Sequence, residues 1–370
     1  MSSRHFTPLA AGLPQTVPFV GPEAIERRVG QPIRARIGAN ESNFGPSPRV
    51  IAAMQAAAPE IWRYGDPEVH LLRSALARHL GVPHANVVVG EGIDGLHGLI
   101  ARLVIAPGDV AVTSLGAYPT FNYHVTGFGG RISFVPYAGD REDLEGLLAA
   151  TRREERCKVV YLSNPDNPMG SWWSAADLEA FIAAVPEHVL ILLDEAYCET
   201  APAGTLPDLD SARPNLIRTR TFSKAYGLAG MRVGYGIGEA GFIAGFDAVR
   251  NHFGVTRMGQ VAALAALEDQ AWLTEVVQRI TAARDRIGAI AADSGLVALP
   301  SATNFVAVDC GRDGAYALAV LKALEARGVF VRKPMAHPLD RCIRISAGLP
   351  ADLDILADEL PRALKAADGA

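Results

Sequence analysis

The sequence predicts an α/β protein, with a mainly parallel, doubly wound sheet in a large domain and a smaller α+β unit behind it. Three observations carry that prediction. Seven short apolar runs, at residues 87–89, 110–113, 132–135, 159–162, 189–193, 217–222 and 233–237, are separated by helical segments. Most of the runs are continuous rather than alternating apolar and polar, which marks strands covered on both faces and hence a parallel sheet. After Pro300 short strands and helices follow one another more closely, the texture of a separate α+β unit.

Taken in order, the first forty residues are proline-rich and loop-like. They end in Asn40-Glu41-Ser42-Asn43 ahead of GPSP, so 1–43 reads as an arm that belongs with the smaller unit. A helix over 48–58 is followed by Arg63-Tyr64-Gly65-Asp66-Pro67 and by a helix over 69–80. There Leu71, Leu72, Ala75, Leu76 and Leu80 recur at helical spacing. The strands that follow complete a large domain over 44–257. One long helical region over 258–292 then leads to a strand at 305–308, a helix at 315–327, strands at 329–331 and 343–345, and a last helix from about residue 352. Residues 258–370 are thus an interdomain helix and a small domain.

Bulk properties narrow the function. The chain has 370 residues, 49% of them hydrophobic and 20% charged, an ordinary globular composition. A formal net charge of −5 leaves no basic footprint for nucleic acid. No apolar stretch approaches the ~20 residues of a membrane span, and Pro8, Pro14 and Pro18 interrupt any signal-peptide core. A cytoplasmic protein acting on small molecules is expected. Cys157, Cys198, Cys310 and Cys342 are scattered without a CxxC pair, and the nine histidines show no HExxH spacing. No metal is expected.

Four stretches at strand ends stand out, where ligands gather in open α/β sheets. Gly90-Glu91-Gly92-Ile93-Asp94-Gly95 matches GxGxxG between a strand and a helix. The next strand, however, ends Thr113-Ser114-Leu115-Gly116, without the acid that would hold a dinucleotide's ribose. The turn therefore reads as a phosphate cradle at a helix N-terminus, with a nicotinamide oxidoreductase as the remote alternative. Asp194 closes the run VLILLD and is either a catalytic acid or a helix cap. Asn167 lies in Ser163-Asn164-Pro165-Asp166-Asn167-Pro168-Met169-Gly170, a composition that also suits a plain turn. Tyr118, in Gly116-Ala117-Tyr118-Pro119, is either a stacking face or a packed loop aromatic. Lys224, in TFSKAYGLAGMR at 221–232, is one of only five lysines, and the only one that follows a strand of the large domain. A phosphate cradle, an aromatic face, an amide, a carboxylate, a phenol and a lysine suit pyridoxal 5'-phosphate.

With those motifs in order over residues 40–344, the chain resembles the class I/II aminotransferases of fold type I, and within them the histidinol-phosphate aminotransferase branch. The resemblance implies Lys224 as the Schiff-base lysine and general base, and Asp194 as the partner of the cofactor's ring nitrogen. Asn167 and Tyr197 would hold the ring's 3-oxygen, and Tyr118 would stack on the ring. Thr221, Ser223, Arg232 and the backbone at Ile93 and Asp94 would hold the phosphate. Tyr64, in RYGDP, would reach the partner subunit's cofactor in a homodimer. Arg344, in IRISAG, would pair with a substrate carboxylate, with Asn40, Asn304 and Arg332 beside it.

Three departures bear on the substrate. The branch commonly shows NENP where this chain has Asn40-Glu41-Ser42-Asn43, an acid at Gly95 and threonine at Met169. The expected activity is transamination of an L-amino acid or amino-alcohol phosphate, histidinol-phosphate-like or aromatic, with a 2-oxo acid such as 2-oxoglutarate. Decarboxylation of a phosphorylated amino acid on the same cofactor is the alternative.

Overall fold

Each of the seven apolar runs becomes a strand of one sheet. The strands are Val87–Gly90, Val110–Ser114, Arg131–Val135, Cys157–Ser163, Leu190–Asp194, Leu216–Thr221 and Gly234–Gly238. Counted along the chain, they lie side by side in the order first, seventh, sixth, fifth, fourth, second, third. This computed structural model describes residues 4–14 and 20–369; Pro18 lies outside the described residues. Leu96, Ile100, Phe121 and Val125 cover one face of the sheet, and Leu147, Leu178, Phe181 and Ile182 the other. Burial on both faces is why most of the runs are apolar; the edge strand Arg131–Val135 is half exposed, and Leu216–Thr221 buries Arg218 and Arg220 against Glu195.

One strand departs from the parallel pattern. Gly234–Gly238 runs antiparallel to both Val87–Gly90 and Leu216–Thr221. A parallel return requires a crossover, usually helical, and residues 222–233 are instead a loop holding only the 3-10 turn Ala229–Met231. The strand doubles back, and the loop stays on the rim where Lys224 sits.

Two further expectations are corrected. The helical region over 258–292 is two helices, Arg257–Leu267 and Gln270–Asp293. The break is at Asp269, whose carboxylate caps the second helix by accepting from the Trp272 amide and also accepts from the Ser47 hydroxyl. The first forty residues are not all loop. Pro22–Val29 is a helix with proline in its first turn, closed by Gly30 at φ +78°. Ala35–Arg36 pairs in parallel with Val329–Phe330, so the arm joins the strand near 329. A separate antiparallel sheet contains Cys342–Ser346, Phe305–Asp309 and the short, unforeseen Val297–Ala298. The last helix is Pro350–Asp368, and Ile37, Val308, Leu324, Ile345 and Leu356 share one core with it.

Register places the chemistry. Ser163 pairs with Asp194, and Asp194 with Thr219, so three polar residues stand in a row at the carboxyl edge of the sheet.

Candidate active site

The lysine loop shapes its own end of the cavity. The Thr221 hydroxyl accepts from the Ser223 amide at 3.1 Å and donates to the Ser223 hydroxyl at 2.9 Å, folding the chain back after the strand. Arg232 closes the loop at φ +54°, a conformation non-glycine residues rarely hold. Such strain gathers at functional sites. The Arg232 guanidinium is thereby directed at Gly92, where a Cβ would lie 2.6 Å from Nη2. Gly92 itself is at φ +76°; the turn needs glycine for both reasons.

That turn opens the helix Gly92–Val104, and no side chain caps its N-terminus. The first amides of the helix are left without intrahelical partners. Ile93, Asp94, Thr221, Ser223 and Arg232 all line one cavity of about 340 Å³. Amides at a helix N-terminus, two hydroxyls and a guanidinium make an anion cradle. Asp94 lies 3.9 Å from Arg232 and accepts from the Tyr118 hydroxyl at 3.4 Å.

Lys224 lies in the same cavity, its Nζ 5.5 Å from the centre of the Tyr197 ring. Burial, then the Arg344 charge, pushes its pKa down to about 8. Asp194 is 4% exposed and lines the cavity too. Burial pushes its pKa up to about 7, against hydrogen bonds from Tyr161 and the Ala196 amide. Asp194 is not a helix cap: it accepts from Ala196 at 2.9 Å and from the Tyr161 hydroxyl at 3.0 Å. Behind it Glu195 is fully buried between Arg218 and Arg220, fixing the strand end.

The opposite side comes from distant segments, of which Ala39 and Glu41 line the cavity while Asn40, Asn304, Arg332 and Arg344 do not themselves line it. Asn40, 2% exposed, donates to the Tyr197 hydroxyl at 3.0 Å, and the Ser346 hydroxyl donates to the Asn40 side-chain oxygen at 3.1 Å. Asn304 donates to the Asn40 carbonyl at 3.0 Å. Asn40 and Asn304 thus tie the arm down, while Ala39 and Glu41 line the cavity. Arg344 donates to the Asn167 side chain and to the Gly38 carbonyl, and its buried Nε has no partner. Its backbone bridges that of Arg332, which brings two guanidinium groups to one region. Burial lowers the pKa of both, Arg344 to about 10. Tyr64 is not brought to this cavity. It is 79% exposed and packs on Phe253 with ring centres 4.7 Å apart.

Sequence reasoning assigned no role to several residues here. Tyr161 and Ser163 line the cavity. His97 stands 3.9 Å behind Asp194. Glu142 and Asp166, both fully enclosed, flank the Ser163 hydroxyl, and burial pushes both carboxyls up. The available signal was a polar tip inside an apolar run, as at Tyr161, which when buried needs a partner. Among the described residues no group of His, Cys, Asp and Glu could hold a metal, and no helix is long and apolar enough to cross a membrane.

The sequence pattern of the family "Aminotransferase class I and II" matches residues 35–360. A histidinol-phosphate aminotransferase 2 of Pseudomonas fluorescens is 39% identical over 89% of each chain. A histidinol-phosphate aminotransferase of Geobacillus sp. is 34% identical over 96% of each. The crystal structure of histidinol-phosphate aminotransferase from Sinorhizobium meliloti, in complex with pyridoxal-5'-phosphate, superposes with a TM-score of 0.96 at 58% identity, covering 98% of both chains. With the family pattern spanning nearly its whole length and relatives of this identity matching end to end, the chain belongs to the class I and II aminotransferases.

Proposed function

We propose that this protein is a pyridoxal-phosphate-dependent transaminase that takes the amino group of a phosphorylated amino alcohol of the histidinol-phosphate type and passes it to a 2-oxo acid such as 2-oxoglutarate. The single observation that carries the reading is Lys224, a buried amine with a lowered pKa in a cavity that also holds an anion cradle and a buried acid. The donor set fits the cofactor. Amides, hydroxyls and Arg232 suit its phosphate, Asp194 suits a protonated ring nitrogen, Asn167 and Tyr197 suit the 3-oxygen, and Tyr118 suits the ring face. Pyridoxal phosphate supplies an aldehyde that condenses with amines and a ring that accepts the electron pair left at Cα.

The chain's own groups do the rest. Lys224, neutral above about pH 8, holds its lone pair where it can take a proton from the substrate carbon and return it. Asp194 stabilises positive charge on the cofactor's ring nitrogen. Arg344 and Arg332 answer an anionic substrate group, the phosphate of the donor or the carboxylate of the acceptor. The bare Nε of Arg344 supports that role.

The same reading includes a homodimer in the cytoplasm, with an arm at 1–43, a large domain at 44–257 and a unit at 258–370. Exposed Ile51, Ile61, Trp62, Tyr64, Leu71 and Phe253 support the dimer, because single chains rarely leave so much apolar surface in water. Tyr64 would then reach the partner's cradle.

A panel of donors assayed with 2-oxoglutarate tests the function. Histidinol phosphate should give glutamate faster than aromatic amino acids do. Carbon dioxide release from a phosphorylated amino acid, with no need of an oxo acid, would overturn it.

A further inference from the structure

Asp194 has a third neighbour that the proposed reaction leaves unexplained. The His97 ring is fully buried on the helix that opens the anion cradle, edge-on to Phe121 and Tyr161. Its Nε2 lies 3.3 Å from the Thr219 hydroxyl and 3.9 Å from Asp194 Oδ2, and its Nδ1 has no partner. Leu96 and Ile100 pack beside it. For packing alone leucine would be the better residue there, because a buried ring nitrogen without a partner is costly.

The bare nitrogen assigns the tautomer. An unpaired acceptor is tolerated more readily than an unpaired N–H, so the proton belongs on Nε2, the nitrogen that faces Thr219 and Asp194. The ring is also neutral: burial, then the His124 charge, pushes its pKa down to about 3. An imidazolium behind Asp194 would satisfy the carboxylate from the wrong side and weaken its attraction for a cation across the cavity. A neutral N–H supports the anion without that competition. The other titratable groups facing Asp194 are Tyr161 on the neighbouring strand, and Lys224, Asp94, Tyr118 and Tyr197 around the cavity.

We propose that His97 is a positioning residue for the cofactor: its neutral Nε2–H orients the Asp194 carboxylate and favours its ionised form, so that it can receive the cofactor's ring nitrogen. The inference rests on the cofactor reading above. Removing the N–H raises the pKa of Asp194, so the carboxylate is lost at a higher pH and cofactor affinity suffers most at the acid end of the range, near pH 6.

The test is titration of the apoprotein with pyridoxal phosphate from pH 6 to pH 9, followed by protein fluorescence, with the melting temperature of each apoprotein as a control. His97→Leu should weaken binding about tenfold at pH 6, what a rise of about one in the Asp194 pKa gives below that pKa. The deficit should shrink toward pH 9 while the melting temperature holds. His97→Gln, which returns an N–H, should bind within about threefold of wild type, as a neutral donor should. If leucine does not fold, His97→Met replaces it with the same outcomes expected. Wild-type affinity in the leucine or methionine variant at every pH would overturn the inference, as would an equal loss in the glutamine variant. A wild-type chain that takes up no cofactor would instead sink the cofactor reading itself.

Discussion

The two walls of the cavity are built differently. The wall that holds Lys224, Asp194 and the anion cradle comes from successive strand ends of one sheet, locked in register through Ser163, Asp194 and Thr219. The facing wall is assembled across the chain: Asn40 meets Tyr197 over a separation of 157 residues, and Arg344 meets Asn167 over 177. The first arrangement is fixed by the register of one sheet and fits one constant group. The second depends on how the arm and the C-terminal unit are set against the sheet, so it can change with little effect on the first.

The largest effect should come from the sheet wall. Lys224→Ala should lower transamination by at least about 10³-fold, the upper range for a general base, and abolish the yellow colour of the loaded protein. Full activity in that variant would break the division between the walls. The pKa of Lys224 gives a gentler probe. Burial disfavours its charged form, so the neutral, reactive amine gains as pH rises through about 8. An amine-directed acylating reagent on the apoprotein should therefore react at Lys224 with a midpoint near 8. An ordinary lysine would titrate at ~10.4, and that value here would remove the burial argument.

On the facing wall, Arg344→Gln should reduce kcat/KM by about 10²-fold, the scale for losing one partner of a buried charge pair. The loss should lie mainly in KM, with the colour and affinity of the bound cofactor unchanged. A loss of cofactor binding of the same size would mean that the two walls are one unit. A smaller effect is expected from Tyr64→Phe. If Tyr64 reaches the partner subunit's cradle, cofactor should be held about tenfold less tightly, with the melting temperature of the apoprotein unaltered. Unchanged affinity would leave Tyr64 as an exposed ring packed on Phe253.

The same contrast explains what was legible in the sequence. Asp194 and the Gly90–Gly95 turn follow buried strands that announce themselves as apolar runs, while the strand before Lys224 is buried yet carries Arg218 and Arg220. The antiparallel return of Gly234–Gly238 left no such mark, because a strand covered on both faces is apolar whichever way it runs. The break at Asp269 was hidden within a helical pattern that continues on both sides of it. Tyr161 and His97 looked like core residues, and they are; only the three-dimensional approach to Asp194 distinguishes them. Asn40 and Asn304 are legible as polar residues, but not their hydrogen bond across the chain.

Met169 allows the comparison to be tested at its finest grain. It departs from the threonine common in the branch this chain resembles, and it lies two residues beyond Asn167, which makes it look like a substrate determinant. Its side chain is 1% exposed and packs with Tyr137, Ala307, Leu339 and Cys342. It does not line the cavity. Threonine there would remove apolar volume and bury a hydroxyl in apolar surroundings, at a cost of about 1–3 kcal/mol. Met169→Thr should therefore lower the melting temperature by several degrees, roughly 2–4 °C per kcal/mol for a chain of this size or somewhat less. The ranking of amino donors should stay as it is, because the side chain meets the joint between the walls and not the substrate. A changed donor ranking at unchanged stability would place Met169 among the residues that choose the substrate, and the boundary between the walls would have to be redrawn through the Asn167 loop.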